Sequence, residues 1–392
     1  MKKNILVISN DFPYPPNHGG RVDIFERIRA MNNLGHKVYL ISTVRSYPNK
    51  SEIIFMDNYV YRSFFLSRKT GILPIFSLLP YQVSSRNNIY SLNNIISEVS
   101  DISFDICIIE GHYCLSIFYK LKNRLVINKS YLRVHNDEAT YFSQLSKSEK
   151  NLLKKVFYKI ESIKFYLYEK KIFSKKEIDA LLHISSDELT KYEKKYKINL
   201  FLPASINIDD IVLYSIKEKK KVLFVGSLFM PNNIEGLFWY LDEVHSNVLN
   251  KFPDYKFIIA GNTKDINVMS LKKKLNEYTS IDFHESPSDL ELSKLYYDCS
   301  LFINPMLSGA GVKLKTINAI KNGLPVVSTS TGNEGTGLLS SESILISDDP
   351  YSFSNNILNL LTNEHERALL TNNAQKFILD KYDLNKNLKK IL

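Results

Sequence analysis

The sequence predicts an α/β protein built from two Rossmann-like domains that face each other across a central cleft. Three observations support this prediction. The chain has 392 residues, which is too long for one ordinary domain and suits two. An apolar strand followed by a glycine-containing loop and a helix occurs near the start and again from Lys221. Strand and helix patterns then alternate in both halves, as they do in doubly wound parallel sheets.

The N-terminal half opens as a strand, a loop and a helix. Asn4–Ser9 is a continuous apolar run, typical of a strand buried on both faces of a parallel sheet. The loop Asp11–Gly20 contains three prolines and ends in the pair Gly19-Gly20. Apolar residues at helical spacing follow from Val22 to Met31. The further predicted strands of this half are Lys37–Ser42, Ile106–Glu110, Tyr131–Val134 and Ala180–Ile184.

The C-terminal half repeats the pattern. Its predicted strands are Val222–Gly226, Phe257–Gly261, Ile281–His284, Leu301–Asn304 and Pro325–Thr329. One predicted helix starts near Asn233, and a second is centred near Leu271. Two more cover Leu290–Tyr297 and Gly311–Lys321. The polar segment Asn207–Lys220 predicts the domain boundary, which gives domains 1–207 and 208–392. The terminal helix near Asn385–Leu392 can pack on either domain.

Composition favours a globular protein of a reducing compartment. The hydrophobic fraction is 44% and the charged fraction 23%, as in soluble domains. Asn4–Ser9 is too short for a signal peptide, and no apolar run approaches the ~20 residues that span a bilayer. Cys107, Cys114 and Cys299 lack metal-ligand spacing and are interpreted as core residues. We expect a cytoplasmic protein.

The net positive charge lies in the first half of the chain. Residues 1–200 carry 31 Lys and Arg against 19 Asp and Glu, whereas the remainder carries 20 against 22. This asymmetry indicates an anionic partner for the first half, or it serves solubility alone. Lys154–Lys176 interleaves lysines with aromatic and aliphatic residues, so it predicts either a helix lying peripherally on an anionic membrane or a surface helix packed on its own domain. Nucleic acid is disfavoured, because no known binding motif accompanies the charge.

The segment Ser308–Ile320 is the most informative part of the sequence. It follows a predicted strand, and the carboxyl ends of strands are where α/β sheets bind ligands. Gly309 and Gly311 let the backbone approach an anion, and the N–H groups of the following helix point toward it. Lys313 and Lys315 add cationic side chains. The segment predicts a diphosphate site, with a simple tight strand–helix turn as the alternative.

Two more glycine-containing loops follow predicted strands. One is Ser330–Gly335, and the other runs from Val225-Gly226-Ser227 to Met230–Asn233. Three such loops at one edge of a sheet describe a crevice the size of a nucleotide.

Together these motifs resemble the GT-B glycosyltransferases, in particular the large retaining group called family 4. The resemblance rests on Val225-Gly226-Ser227, Gly309–Lys315, Gly323–Thr329 and Gly332–Gly335. In the N-terminal half it rests on Pro13–Gly20, on the Arg-x-His-Asn-x-Glu stretch Arg133–Glu138, and on Glu169, Asp179 and Ser185–Asp187. It implies a GT-B fold and transfer of a sugar from a nucleoside-diphosphate sugar.

The resemblance also implies roles for individual residues. The backbone N–H groups that would meet the diphosphate belong to Gly309, Ala310, Gly311 and Val312. Lys313 or Lys315 would neutralise its charge, Asn318 would face the ribose, and Glu334 would lie near the sugar or base. Gly226 and Ser227 would belong to the same donor site. Gly19 and Gly20 would line the cleft from the other side, and His135 would lie over the transferring sugar, or be a structural histidine at a strand end.

Two departures from the family pattern concern this helix and the loop before it. Asn318 stands where the family usually has a glutamate, and an amide offers one acceptor where a carboxylate offers two oxygens. Ser308 stands where many members carry a second glutamate. The chain also has no D-x-D pair and no His/Cys cluster, so we expect no metal.

The leading hypothesis is a retaining, metal-independent transferase that needs no cofactor beyond its nucleoside-diphosphate sugar co-substrate. Its acceptor would be a glycan or a polyprenyl-linked sugar in bacterial-type surface polysaccharide synthesis. One alternative is an inverting transferase or sugar-nucleotide epimerase, with Asp11, Glu110 or Asp137 as general base. Another is a degenerate, non-catalytic scaffold, which Asn318 suggests.

Overall fold

The computed structural model describes residues 2–16, 19–69, 71–87, 89–149, 151–174, 177–185, 189–190, 192, 198–206, 208–216, 220–263, 269–309 and 311–392. The chain forms two compact units. Unit 1 comprises Met1–Ile206 and Leu384–Leu392, and unit 2 comprises Asn207–Asp383. The terminal segment therefore belongs with the N-terminal half of the chain. In the part of the chain described here, no helix has both the length and the hydropathy required to cross a bilayer.

Unit 1 is a parallel sheet of seven described strands in the order β3-β2-β1-β4-β5-β6-β7. The strands are β1 (Asn4–Ser9), β2 (Lys37–Val44), β3 (Arg62–Ser67), β4 (Phe104–Glu110), β5 (Ile127–Val134), β6 (Ala180–His183) and β7 (Asn199–Phe201). Strand β1 lies at the centre, with Ile5 paired to Val38 of β2 and to Ile106 of β4. Both faces of β1 are covered, which explains its unbroken apolar sequence.

The helices of unit 1 cover both faces of this sheet. They are α1 (Gly19–Asn33), α2 (Lys50–Asp57), α3 (Tyr81–Ser84), α4 (Ile89–Val99), α5 (Leu115–Lys122), α6 (Glu138–Ser148), α7 (Leu152–Ser174) and the terminal helix Leu384–Leu388. On one face, Ile28 of α1 and Leu388 of the terminal helix pack against Ile5 and Val7. On the other, Phe118 of α5 belongs to a second core cluster.

Unit 2 is a parallel sheet of six described strands in the order β10-β9-β8-β11-β12-β13. The strands are β8 (Lys221–Val225), β9 (Lys256–Gly261), β10 (Ile281–Glu285), β11 (Leu301–Asn304), β12 (Val326–Ser328) and β13 (Leu345–Ile346). The helices are α8 (Pro231–Trp239), α9 (His245–Lys251), α10 (Met269–Leu275), α11 (Asp289–Asp298), α12 (Leu314–Lys321), α13 (Ser330–Asn333), α14 (Pro350–Thr362) and α15 (Glu364–Lys381). Phe224, Phe257, Ile303 and Phe353 are fully buried in its core.

All ten strands predicted from apolar runs are present, and the remaining differences have local causes. The helix predicted from Gly311 begins instead at Leu314, because Gly309 and Gly311 adopt φ values of 110° and 90°, outside the helical region. Strand β3 was not predicted, since this edge strand is only half-buried and lacks a continuous apolar run. The three cysteines are free and buried, as predicted.

Candidate functional site

Three loops meet at the carboxyl edge of the unit 2 sheet. Strands β8, β11 and β12 are neighbours in that sheet, so the loops that follow them share one edge. Asn304, the last residue of β11, connects the elements that follow β11 and β12. Its amide donates to the Thr316 hydroxyl of α12 at 2.9 Å and to the Gly332 carbonyl of α13 at 2.8 Å. The loops after β11 and β12 are therefore held in position relative to each other.

The loop after β11 is shaped by its two glycines. Gly309 and Gly311 both have positive φ, a conformation that side-chain-bearing residues rarely adopt. A Cβ atom at Gly309 would also lie 2.6 Å from the Asn232 amide nitrogen, so this loop lies directly against the start of α8. Val312 is partly buried, and Ala310 lies outside the described residues.

Lys313 closes this loop on itself. Its side chain is 4% exposed, and its ammonium donates to the Gly309 and Gly311 carbonyls at 2.8 and 2.7 Å. The third donor meets the Glu334 carboxylate at 3.0 Å. An ammonium has three N–H donors, so all of them are used within the protein. Burial lowers the pKa of Lys313, and Glu334 opposes that shift. Lys313 thus holds the first loop to the loop after β12.

Lys315 occupies a different environment, two residues further along. Its ammonium lies 5.3 Å from the ring centroid of Phe224 and donates to the side-chain oxygen of Asn233. The Asn233 amide in turn donates to the Ser227 carbonyl at 3.0 Å, which connects α12 to the loop after β8. Burial, and then the charge of Lys313, lower the pKa of Lys315 to about 7. An anion beside this ammonium would reverse that shift.

The remaining predicted residues of unit 2 lie on α12 and on the three loops. Asn318 is exposed and lies three residues after Lys315, on the same side of α12. Gly226 lies between Phe224 and Asn233, since a Cβ atom there would be 3.1 Å from the Phe224 ring. The hydroxyl of Ser308 donates to Glu235 of α8. Glu334 is 45% exposed and pairs with Lys313.

Unit 1 contains a buried network of charges at the carboxyl end of β4. Glu110 ends β4, and both of its oxygens lie 3.1 Å from a terminal nitrogen of Arg27. The same Arg27 nitrogen meets Asp23, one turn earlier on α1, at 2.8 Å. Arg133 of β5 binds Asp23 at 3.2 Å. His135, just after β5, places its Nε2 atom 3.0 Å from Glu110.

The network fixes the charge states of its members. Burial alone would raise the pKa of Asp23, but Arg133 and Arg27 hold that pKa well below its ordinary value. Burial likewise opposes ionisation of Glu110, yet Arg27 and His135 keep its pKa lowered. Because an ionised carboxylate can only accept, the Nε2 atom of His135 carries the proton in this hydrogen bond.

Asp23, Glu110 and His135 have ligand atoms within 4.8 Å of one another, close enough to be considered as a metal triad. Both carboxylates are, however, already matched by the guanidinium groups of Arg27 and Arg133. A divalent cation would have to displace these buried arginines or lie beside them. The donor set therefore fits a four-charge ion network better than a metal centre.

Other acidic candidates in unit 1 have structural partners. Asp11 pairs with the Arg21 guanidinium at 2.8 Å, and Asp137 caps α6 by accepting from the Thr140 backbone N–H. Glu138 accepts from the Tyr113 hydroxyl at 2.6 Å, and burial raises its pKa to about 7. Gly19 and Gly20 are the exposed first residues of α1.

Comparison with known proteins decides the family. A family model described as Glycosyl transferases group 1 matches residues 219–363, a range that contains all three loops of unit 2. A curated Klebsiella pneumoniae protein, described as an uncharacterized 44.6 kDa protein in cps region, is 38% identical over 396 residues and 97% of both chains. The chain belongs to the group 1 glycosyltransferase family.

Solved structures show the fold of this glycosyltransferase. Sucrose-phosphate synthase from Thermosynechococcus elongatus superposes with a TM-score of 0.70 at 12% identity, over 100% of this chain and 98% of that one. S. aureus TarM, in complex with fondaparinux, alpha-GlcNAc-glycerol and UDP, gives 0.67 at 12% identity and 99% of both chains. Anabaena Alr3699/HepE, in complex with UDP and glucose, gives 0.63 at 10% identity and 99% of both. The predicted GT-B fold is confirmed.

Several residues of these sites were missed by sequence reasoning. In unit 2, Phe224 and Asn233 contact Lys315, although no such contact was predicted for either side chain. In unit 1, Asp23 and Arg27 were overlooked. A signal was present there, because two opposite charges four residues apart interrupt the apolar face of α1 beside Ile24 and Ile28.

Proposed function

We propose that this glycosyltransferase moves a sugar from a nucleoside-diphosphate sugar to a glycan or polyprenyl-linked acceptor during bacterial surface polysaccharide synthesis. The observation that carries the proposal is the Lys315 ammonium, held beside the glycine loop with a pKa near neutrality. A partly buried cation without a carboxylate partner among the described residues is a costly arrangement, and a bound anion reduces the cost.

Unit 2 supplies what a diphosphate requires. The backbone at Gly309, Gly311 and Val312 leads into the N-terminus of α12, where the helix dipole favours an anion. Lys315 adds a full positive charge, and Lys313 keeps the loop closed. As the bond between the anomeric carbon and the diphosphate oxygen breaks, these groups stabilise the departing negative charge. Asn318 of the same helix face is assigned to the ribose. No metal is needed for this chemistry.

We assign His135 to the transferring sugar. Glu110 fixes the imidazole through Nε2, which leaves Nδ1 as the ring nitrogen that can meet a hydroxyl group. The acceptor hydroxyl replaces the diphosphate on the anomeric carbon, and its proton passes to the departing diphosphate oxygen. Retention of configuration is the outcome implied by the resemblance to family 4.

The comparisons support the choice of first ligands. TarM was solved in complex with UDP, and HepE in complex with UDP and glucose and with UDP-glucose. The Klebsiella relative is placed by its description in a cps region, which favours a polysaccharide product. UDP and UDP-glucose are therefore the first probes for this chain, followed by the diphosphates of the other bases.

The proposal is tested by thermal unfolding with a panel of UDP, GDP, ADP, CDP and dTDP. A ligand present at 100 times its Kd adds about 2.7 kcal/mol to the stability of the protein. We expect one diphosphate to raise the melting temperature and Lys315→Met to abolish the rise. The exposed Lys251→Met, on the same unit, is the matched control.

Catalysis is tested separately from binding. Slow hydrolysis of the matching sugar nucleotide, retained in EDTA, is expected for a metal-independent transferase. A panel without any shift refutes the donor site, whereas a shift without turnover of any donor indicates a non-catalytic binding protein.

A further inference from the structure

Helix α7 of unit 1 has two apolar faces, and the described residues of the protein cover only one of them. The packed face includes Phe165, which is fully buried and stacks on Phe142 of α6 at 5.3 Å, and Ile172. The uncovered face carries large apolar side chains at intervals of three and four residues, which places them on one side of the helix. They are Leu152, Val156, Ile160, Ile163 and Leu167, with exposures of 76, 57, 47, 52 and 58%. We call these five the α7 stripe.

A second group of exposed apolar side chains adjoins the stripe. Leu73, Phe76 and Leu78 are 87, 80 and 97% exposed. They belong to a short turn whose Ile75 carbonyl accepts from the Lys164 ammonium at 2.9 Å, and Lys164 directly follows Ile163 of the stripe. The turn is thus fastened to α7, and its apolar side chains project from an anchored backbone. We call residues 72–78 the α7-side turn.

The charges of this surface have a single sign. Helix α7 contains two glutamates, and both are buried, with Glu161 at 0% and Glu169 at 7% exposure. The exposed charges on the described part of the helix are lysines, including Lys159 and Lys170, which border the stripe. Lys175 and Lys176, which the sequence also suggested, lie outside the described residues. The surface is therefore apolar along its middle and positive along its edges.

We propose that the α7 stripe and the α7-side turn form a docking surface for an anionic membrane. At 23 residues, α7 is about 35 Å long, and it lies in the membrane interface with its stripe among the acyl chains. The lysines at its borders meet lipid phosphates. A second copy of the chain fits less well, because two such surfaces would bring lysines against lysines.

The first experiment measures cosedimentation of the full chain with vesicles. We expect binding to phosphatidylglycerol-containing vesicles, weak binding to phosphatidylcholine, and reduced binding near 1 M salt, where the Debye length is about 3 Å. Replacing Lys159 and Lys170 by Gln should weaken binding about thirtyfold, the equivalent of about 1 kcal/mol per lysine. Lys251→Gln with Lys376→Gln, on exposed lysines of unit 2, should leave binding unchanged.

The second experiment removes the apolar contacts. The stripe variant Val156→Gln/Ile160→Gln/Ile163→Gln should lose at least tenfold in vesicle affinity. A control variant changes three residues of unit 1 with similar exposure but outside this surface, namely Ile54, Tyr61 and Val126, at 57, 61 and 60%. These positions are exposed in both variants, so both should unfold at the wild-type temperature. Equal vesicle affinity of the stripe variant and wild type overturns the proposal.

The third experiment reports insertion directly. The chain has one tryptophan, so Phe76→Trp in a Trp239→Phe background places a single fluorophore on the α7-side turn. Its emission should shift to the blue on anionic vesicles and be quenched by brominated lipid. An emission spectrum that does not change on anionic vesicles overturns the proposal. A dimer that forms without lipid and becomes a monomer in the stripe variant also overturns it, because the surface would then bind a second copy of the chain. None of these measurements requires sugar transfer, so their outcome is independent of the proposed function.

Discussion

The pKa of Lys315 leads to a quantitative prediction for diphosphate binding. With a pKa of about 7, this ammonium is protonated in about one quarter of free molecules at pH 7.5 and in about one hundredth at pH 9. A diphosphate binds the charged form and keeps it charged, because a nearby anion favours protonation. Free UDP changes little over this range, since the second pKa of a phosphate is about 6.

The affinity for UDP should therefore fall about 25-fold between pH 7.5 and pH 9, which corresponds to about 1.9 kcal/mol. Calorimetry in buffers of different ionisation enthalpy should show uptake of about 0.9 proton per UDP at pH 8. The sign follows from the direction of the shift. A lysine with a lowered pKa releases its proton in the free protein as the pH rises, and binding must restore it.

Two variants separate this explanation from others. Lys315→Arg stays charged throughout, so its UDP affinity should be nearly independent of pH from 7.5 to 9. Lys315→Met should bind weakly and also lack the pH dependence. A constant wild-type Kd over this range would refute the reasoning, and so would a wild-type slope in Lys315→Met, because another group would then carry the proton.

Three further predictions concern the loop and the buried network. Gly309→Ala should weaken UDP binding at least tenfold. The control Gly71→Ala should not, because Gly71 has nearly the same φ of 111° but no atom within 4 Å of the new Cβ. Equal UDP affinities of the two variants would show that the Gly309 loop is not part of the donor site. Arg27→Met should lower the unfolding free energy by about 3–5 kcal/mol, because it leaves a buried carboxylate unpaired. Arg29→Met, on the same helix but with a partly exposed partner, should change it little. Similar melting temperatures of the two variants would contradict this. Because its pKa is lowered, ionised Asp23 stabilises the fold above pH ~4, and this stabilisation is lost as the pH falls below that value. Urea unfolding at a series of pH values should therefore show a weaker loss of stability in acid for Asp23→Asn than for the wild type. The same loss in both proteins would contradict this.

The fold was predictable because its determinants are local. Strands β1 and β8 are unbroken apolar runs, and the turns that follow contain the glycines that a doubly wound sheet requires. Strand β3 escaped prediction because an edge strand is half-exposed and has no such run. The boundary predicted at 207 lies next to the division at Asn207, but the sequence could not assign the terminal helix, whose partners Ile5 and Val7 lie at the other end of the chain.

The site was predictable as a loop but not as an arrangement of side chains. From the sequence, Lys313 and Lys315 were predicted to be equivalent cations beside one anion. The structure separates them, since Lys313 is saturated by two loop carbonyls and by Glu334, 21 residues later. Lys315 faces Asn233, 82 residues earlier. Partners this distant in sequence are selected by the packing of β8, β11 and β12, and no local pattern contains that information.

The ion network of unit 1 calls for an explanation other than stability. Two arginines and two carboxylates have been removed from water, and hydrophobic residues of similar size often stabilise a protein equally well or better. What an apolar replacement would not reproduce is the ionised Glu110 oxygen that orients His135. Arg27 keeps that carboxylate ionised against burial, and Asp23 balances the second guanidinium. The network therefore acts through one imidazole, whose Nε2–H it orients; in the function proposed above, Nδ1 then meets the transferring sugar.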